Sequence, residues 1–539
     1  MQVETLQIHN ESKLLKDYRN NDPNIMRFFD YHPYNDFKKR LSELENRSFD
    51  REKLTDLLKV MNSEWGVPQS SLDNIARLKQ RESVVVIGGQ QAGILMGPMY
   101  TINKIVSIIQ LARQQEEELN IPVIPVFWIA GEDHDFAEIN HIFVPGISKM
   151  KKFKLFQQAL GKQSVSDLDL DKEGTETWIY QLFEQLEETA NTKELFKTIL
   201  SCLDVANSYT DFFARLVYSL FPNEGLVLIN SADKELRKVE YKHFISLVQA
   251  QPEISRGVYD ASEDLNQLGY SISLELEKED AHLFYHENGE RILLVKDEEN
   301  MWVGKQNEVR FTTEELQEIA VKQPYNLSNN VVTRPIMQEL LFPTLAFIGG
   351  PGEVGYWAVL KPAFAALGMK MPPVLPRLSF TFIDRNVEKA LSKYSIHVEH
   401  AINYGVEDIK QAWLNKKQDP PIHELSVEIK QKIKDIHKPL RDAAKGVRAD
   451  LGDLADKNLH YLQDTILFLE GRINKAIEEK YAKEIEEFDL ISLSLRPEGG
   501  LQERIWNPIF WLNHHGAEFL QSIIHRDLSM KESHFVVWL

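Results

Sequence analysis

The stretch Val84 to Lys104, VVVIGGQQAGILMGPMYTINK, constrains the fold more than any other part of the chain. Four β-branched residues, Val84 to Ile87, suit a strand buried on both faces, and Gly88-Gly89 ends the run with backbone that can turn tightly. After Gly97-Pro98, Ile102, Ile105, Ile109 and Leu111 recur at roughly helical spacing. Strand, glycine-rich loop and helix together leave unpaired N–H groups and a partial positive charge where phosphate or carboxylate can be held. Gln90, Gln91, Tyr100, Thr101 and Lys104 supply hydrogen bonds and one cation there, with Gly93 inside the loop. Neither a G-x-G-x-x-G fingerprint nor a P-loop Gly-Lys-Ser/Thr is present. The junction therefore reads as an anion site or as a turn that only packs a sheet. The paired glutamines argue for the first, since Asn, Asp, Ser or Gly serves a purely structural turn.

A second buried strand, Val123 to Ile129, follows the helix and completes a βαβ unit, which predicts a parallel sheet. At its carboxyl end stands Gly131-Glu132-Asp133-His134-Asp135, on the sheet edge where ligands of open α/β folds bind. His134 and Asp135 are candidates for general acid or base, and a solvated acidic helix start is the competing reading. One histidine among adjacent acids lacks the spacing of a metal ligand set, so no metal is expected. Residues 148–222 read as a largely helical insertion, and the sheet resumes at Gly225 to Asn230, with Asp233 as a helix cap. Asn288-Gly289 between two apolar runs signals a hairpin inside a β-containing insertion near 255–315.

Leu345 to Trp357, LAFIGGPGEVGYW, repeats the strand, Gly-Gly, helix pattern and adds Glu353 and Tyr356. Just upstream, in a polar turn before Pro335, Arg334 is either an anion clamp or a surface ion pair. Beyond Asp384, apolar positions three and four apart from Ile422 to Leu440 and from Leu462 to Ile477 predict two long helices. These pair with each other or dimerise, and a homodimer is expected. The aromatic and glycine-rich tail should dock back on the core, with Trp506 and Phe510 able to stack a base and Asn507 able to read its edge.

The organisation predicted is a Rossmann-like α/β core over 1–383, a helical coiled coil over 384–486 and a docking segment over 487–539. A net charge of -19 argues against nucleic acid or a membrane surface as partner. No apolar run approaches the roughly 20 residues that span a bilayer, and the polar start has no signal-peptide core. The single cysteine, Cys202, rules out an internal disulfide and sits in an apolar helical pattern where packing is its role; a cytoplasmic protein is expected.

With GGQQAG, GEDHDF, FIGGPGEVGYW and RPEGGLQER in place along nearly the whole chain, the sequence resembles the BshC family, the cysteine-adding enzymes of bacillithiol biosynthesis. The resemblance implies a ligase that joins L-cysteine to the amino group of glucosaminyl malate, on a Rossmann-like core with a dimerising coiled coil. It implies catalytic roles for Gln90, Gln91, His134 and Asp135, and the chemistry of carboxylate activation adds Lys104 or Arg334 as the cation that balances developing negative charge. Gly93, Tyr100, Thr101, Arg334, Glu353 and Tyr356 would bind substrate. The need to activate a carboxylate makes ATP or ADP with magnesium a candidate cofactor, and the tail offers a candidate second nucleotide site among Asp384, Arg385, Asn386, Ser492, Leu493, Trp506, Asn507 and Phe510. The loop has Gly-Gly-Gln-Gln where the adenylate-forming synthetases have two histidines spaced by two residues. A catalytically silent nucleotide-responsive adaptor, and a nucleotidyltransferase acting on another small acid, stand as alternatives.

Overall fold

The computed structural model describes residues 1–157, 163–418 and 420–539. At its centre is a five-stranded parallel sheet of β1 (Val84–Gln90), β2 (Val123–Ile129), β3 (Val227–Asn230), β4 (Thr344–Gly349) and β5 (Val374–Pro376). The spatial order is β5-β4-β1-β2-β3, so the chain winds outward in one direction from β1 and later returns to its other side. That reversal between β1 and β4 opens a crevice at their carboxyl ends, the usual ligand position in a doubly wound sheet. Every residue of β2 and β4 is buried, as strands covered on both faces require.

The helices that matter for the site are α1 (Tyr100–Leu119), α2 (Lys234–Gln267), α3 (Thr333–Leu341) and α4 (Pro351–Trp357). Asp233 caps α2 by accepting from the Leu236 N–H at 2.9 Å, as the sequence indicated. Arg334 does not lie in a turn: it occupies the first turn of α3, because Pro335 is tolerated where a helix has no intrahelical N–H bond to lose. The β-rich insertion also begins later than expected. Residues 255–267 continue α2, and the antiparallel strands run from Asp280–Glu287 to Leu327–Asn329, with Asn288 and Gly289 both at positive φ in the hairpin turn.

Beyond the sheet, α5 (Ile422–Val447) and α6 (Ala449–Lys480) form an antiparallel hairpin that reverses at the single extended residue Arg448. His423 meets Glu470 at 2.9 Å, His437 meets Asn458 at 2.9 Å, and Lys445 meets Asp456 at 2.9 Å, so the helices run past each other along their length. The tail does return to the core. Its strand His534–Trp538 lies between Gln2–Leu6 and Phe380–Ile383, antiparallel to the first and parallel to the second. That N-terminal strand has no periodic signal of its own, since only Leu6 of its five residues is buried. No helix among the described residues is long and apolar enough to cross a membrane.

Candidate active site

The site is built on the end of β1. Gly88 and Gly89 do not turn the chain; β1 runs on through Gln90. Their role is close approach, because a Cβ at Gly88 would lie 2.7 Å from the Ile348 carbonyl and one at Gly89 2.5 Å from the Trp128 carbonyl. The following loop takes three successive left-handed residues, Leu95, Met96 and Gly97. It is held from the far end of the chain: the Asn507 amide donates to the Leu95 and Gly97 carbonyls at 3.1 and 2.7 Å, and the Met99 N–H donates to the Trp506 carbonyl at 2.8 Å.

Lys104, one turn into α1, is buried and directs its ammonium back at β1. Its Nζ donates to the Gly89 carbonyl at 2.6 Å, to Gln90 Oε1 at 3.0 Å and to the Glu353 carboxylate. Glu353 reaches this point because α4 starts immediately after β4, and the same carboxylate accepts from the Gly350 N–H at 2.6 Å. Burial works against charge on Glu353, but Lys104 and Arg334 outweigh it and hold the carboxyl below its usual pKa. Burial also lowers the Lys104 pKa, with Glu353 pulling the other way. Arg334 donates to the Tyr356 hydroxyl, which in turn donates to the other oxygen of Glu353 at 3.5 Å. Lys104, Glu353, Tyr356 and Arg334 thus form one network across the β1/β4 crevice.

That network forms part of the wall of a cleft of about 570 Å³. Gln90, Gln91, His134, Arg334 and Glu353 line it, joined by Glu132, Asp133 and a set from the antiparallel insertion. Gln91 bridges two acids, donating to Asp133 at 2.7 Å and Glu138 at 2.9 Å. Behind Glu132, Arg237 pairs with both Glu132 and Glu240, and burial raises the Glu240 pKa to about 7 against the pull of Arg237. Asp135 is exposed and does not line the cleft; Asp133 takes the inward position, because the backbone turns between them to start a short helix. Gly93, Tyr100 and Thr101 lie with Gln90 and Gln91 along a separate crevice of only about 30 Å³ on the loop's other side.

The insertion contributes two residues that sequence reasoning did not assign. Arg291 is buried, stacks over Phe284 with its guanidinium carbon 3.8 Å from the ring centre, and donates to Ser328 Oγ at 3.2 Å and the Asn329 carbonyl at 2.6 Å. Neither partner carries a charge. The Asn329 side chain is 1% exposed, and neither its amide nitrogen nor its oxygen has a partner among the described residues. Buried amides are normally satisfied, and this one borders the cleft. Arg291 sits in a strand whose alternation does not say which face meets the sheet edge, and the signal is legible only once the insertion is folded over β1.

The proposed second nucleotide residues are placed around the tail. Trp506 donates to the Leu493 carbonyl at 2.8 Å and packs edge-on against Phe510, while Asp384 caps its helix through the Asn386 N–H. Asn507 has both amide hydrogens engaged by the loop carbonyls, and its oxygen accepts from the Ile509 N–H. Arg385 and Asn386 are exposed, Leu493 is buried and Ser492 is half-buried. Among the described residues no group of three or more His, Cys, Asp or Glu side chains converges as metal ligands.

Comparison with known proteins agrees with this architecture. A family model described as "Bacillithiol biosynthesis BshC, N-terminal Rossmann-like domain" matches residues 1–378, and "Bacillithiol biosynthesis BshC, C-terminal coiled-coil domain" matches 380–539. A protein of Oceanobacillus iheyensis named "Putative cysteine ligase BshC" is 44% identical, covering 100% of both chains. Proteins of the same name from Bacillus licheniformis and Geobacillus sp. are 41% and 38% identical, again over 100% of each chain.

Proposed function

The chain belongs to the BshC family of bacillithiol biosynthesis, and from that premise we propose that it is a cytoplasmic ligase joining the carboxylate of L-cysteine to the amino group of glucosaminyl malate. The observation that carries this reading is the pair Arg291 and Arg334 with the unpartnered amide of Asn329. Among the described residues neither arginine has a carboxylate within ion-pair distance, although both line a cleft at the sheet's switch point. A planar guanidinium suits a carboxylate, and the acceptor substrate brings malyl carboxylates while the donor brings the cysteine carboxylate.

Amide formation requires the carboxylate oxygen to become a leaving group before the amine nitrogen attacks the carbonyl carbon and gives up a proton. ATP with magnesium, when bound, supplies a phosphoryl or adenylyl group for that purpose, and the cationic side of the cleft around Arg334 and Arg291 suits its phosphates. His134, which lines the same cleft, takes the amine proton in this reading, with Asp133 beside it. Lys104 is saturated by three acceptors and fixes the Gln90 amide and Glu353 in place. Tyr356 orients Arg334.

Dimerisation through α5 and α6 belongs to the same reading. Ile436, Leu440 and Phe468 are 80%, 65% and 70% exposed, leaving apolar surface on the hairpin that a second copy would cover. A second nucleotide would bind beside Trp506 and Phe510 without Asn507 reading its base, since that side chain is fully engaged by the loop and by the Ile509 N–H. The deciding experiment incubates the pure protein with L-cysteine and glucosaminyl malate, with and without ATP and magnesium, and follows the product by mass spectrometry. Product formed only with ATP is expected; cysteine-independent pyrophosphate release with no amide product would replace this reading with the nucleotidyltransferase one.

A further inference from the structure

A second cleft, of about 530 Å³, lies on the other side of α4. The helix that sends Glu353 into the first cleft presents Gly352 and Gly355 to this one. The facing wall comes from the tail turn Arg496 to Gly500, the RPEGG segment that the ligase reading leaves without a task. The charged side chains lining it are Arg19, Arg377, Arg496, Arg504, Glu11 and Glu503, four cations against two anions in a chain whose net charge is -19.

The two glutamates are already taken. Glu503 is held by both terminal nitrogens of Arg377 at 2.6 and 2.7 Å, and Glu11 lies 3.4 Å from Arg19. Arg496 has only the Ile402 carbonyl, at 2.7 Å, and Arg504 is exposed, with no carboxylate in ion-pair range among the described residues. The glycines add an independent observation. A Cβ at Gly352 or Gly355 would meet no atom within 4 Å, and neither has positive φ, so neither packing nor backbone geometry demands glycine there. Glycine weakens a helix relative to alanine, and what it provides at these two positions is bare backbone open to the cleft for close approach by a ligand. No aromatic side chain lines the cleft to stack a base.

We propose that this cleft binds a phosphate-bearing anion, its negative oxygens held by Arg496 and Arg504 and its body lying against the glycine face of α4. The site goes beyond the ligase reading and does not depend on which residues activate cysteine. A ligand here would sit across one short helix from the Lys104–Glu353 pair, where its charge bears on the position of α4.

The test is calorimetric titration of the full chain with tripolyphosphate, repeated at raised salt. Saturable, salt-sensitive binding is expected. Arg504→Gln should weaken it roughly 10-fold, the loss typical of a charge-assisted contact. Arg504 is exposed, so that variant tests the contact without burdening the core. Gly355→Leu should abolish binding by filling the cleft, Gly355→Ala should weaken it while leaving the melting temperature unchanged or raised, and Arg291→Gln, in the other cleft, should leave it intact. No saturable binding at millimolar tripolyphosphate overturns the proposal, as does binding indifferent to Arg504→Gln and Gly355→Leu or binding lost in Arg291→Gln. With ATP as the second probe, an equal loss in Arg504→Gln assigns these contacts to a nucleotide's phosphates, and a loss confined to tripolyphosphate assigns them to a free polyphosphate.

Discussion

Lys104–Glu353 and Arg377–Glu503 are both cation–glutamate pairs sunk at the carboxyl edge of the same sheet, and they differ in what is left over. Glu503 accepts two bonds from Arg377 and one from Asn103 at 2.7 Å, and both partners of its ion pair are under 5% exposed. Every oxygen is engaged, and the pair fastens the tail segment to α1 and β5. Glu353 is 22% exposed, and beside it stand Tyr356 and the unpaired Arg334. Burial of a salt bridge therefore does not mark a site by itself. Uncompensated neighbours that open onto a cleft do: Arg334 is tied into the network of the first pair, whereas Arg496 and Arg504 share the second pair's cleft without bonding to it.

The sharpest way to break this comparison is Glu503→Gln. Arginine cannot shed its proton, so Arg377 would be left charged and buried, with a stability loss of roughly 3–5 kcal/mol expected by denaturant unfolding. A loss below about 1 kcal/mol would deny the pair its fastening role. Glu353→Gln should cost less stability, because Lys104 can lose its proton where Arg377 cannot, and yet abolish ligase turnover. The two variants share an acid-side signature, since Glu503 too is held below its usual pKa, and differ on the alkaline side. In the native protein the depressed Glu353 pKa contributes stability that is complete above the ordinary carboxylate pKa and is lost as pH falls through its folded value. Melts of Glu353→Gln across acid pH should lack that part of the decline. Stripped of its counter-ion, Lys104 falls further below its ordinary pKa, so the variant gains stability as pH rises toward that value.

Within the open site, Arg291→Gln should leave the fold intact and raise the KM for the acidic substrate about 10-fold or more, the loss expected for a charge-assisted contact. A fall in kcat at unchanged KM would instead place Arg291 in the reacting step. The smallest effect is expected for Asp135→Ala, within about 0.5 kcal/mol in stability and near-native turnover, since the side chain faces solvent. A large loss there would move the proton acceptor back from His134 and Asp133 to Asp135.

Local patterns carried most of the framework. β-branched runs located β1 and β2, Asn288-Gly289 located a hairpin, and the three-four spacing from Ile422 onward located the long helices. Gln90, Gln91, His134, Arg334 and Glu353 do converge, because each follows a strand end or stands at a helix start near the sheet edge. What could not be read depends on folding across sequence distance. The face Arg291 presents is set by how the insertion closes over β1, and Asp133 rather than Asp135 points inward through one local turn. Gly88 and Gly89 were legible as glycines but not as close contacts to Ile348 and Trp128, whose backbones arrive from other strands.

The grip of Asn507 and Trp506 on the loop at Leu95 to Met99 bears on how the enzyme is born. The central strand emerges from the ribosome early, whereas the residues that hold its loop follow some 400 positions later, a wait of roughly 20–80 s at ordinary rates of elongation. Until then the left-handed turn of the loop has no clamp. A nascent or truncated chain would thus carry much of the sheet with an unset loop, and catalytic competence would arrive late in synthesis instead of accumulating piecemeal.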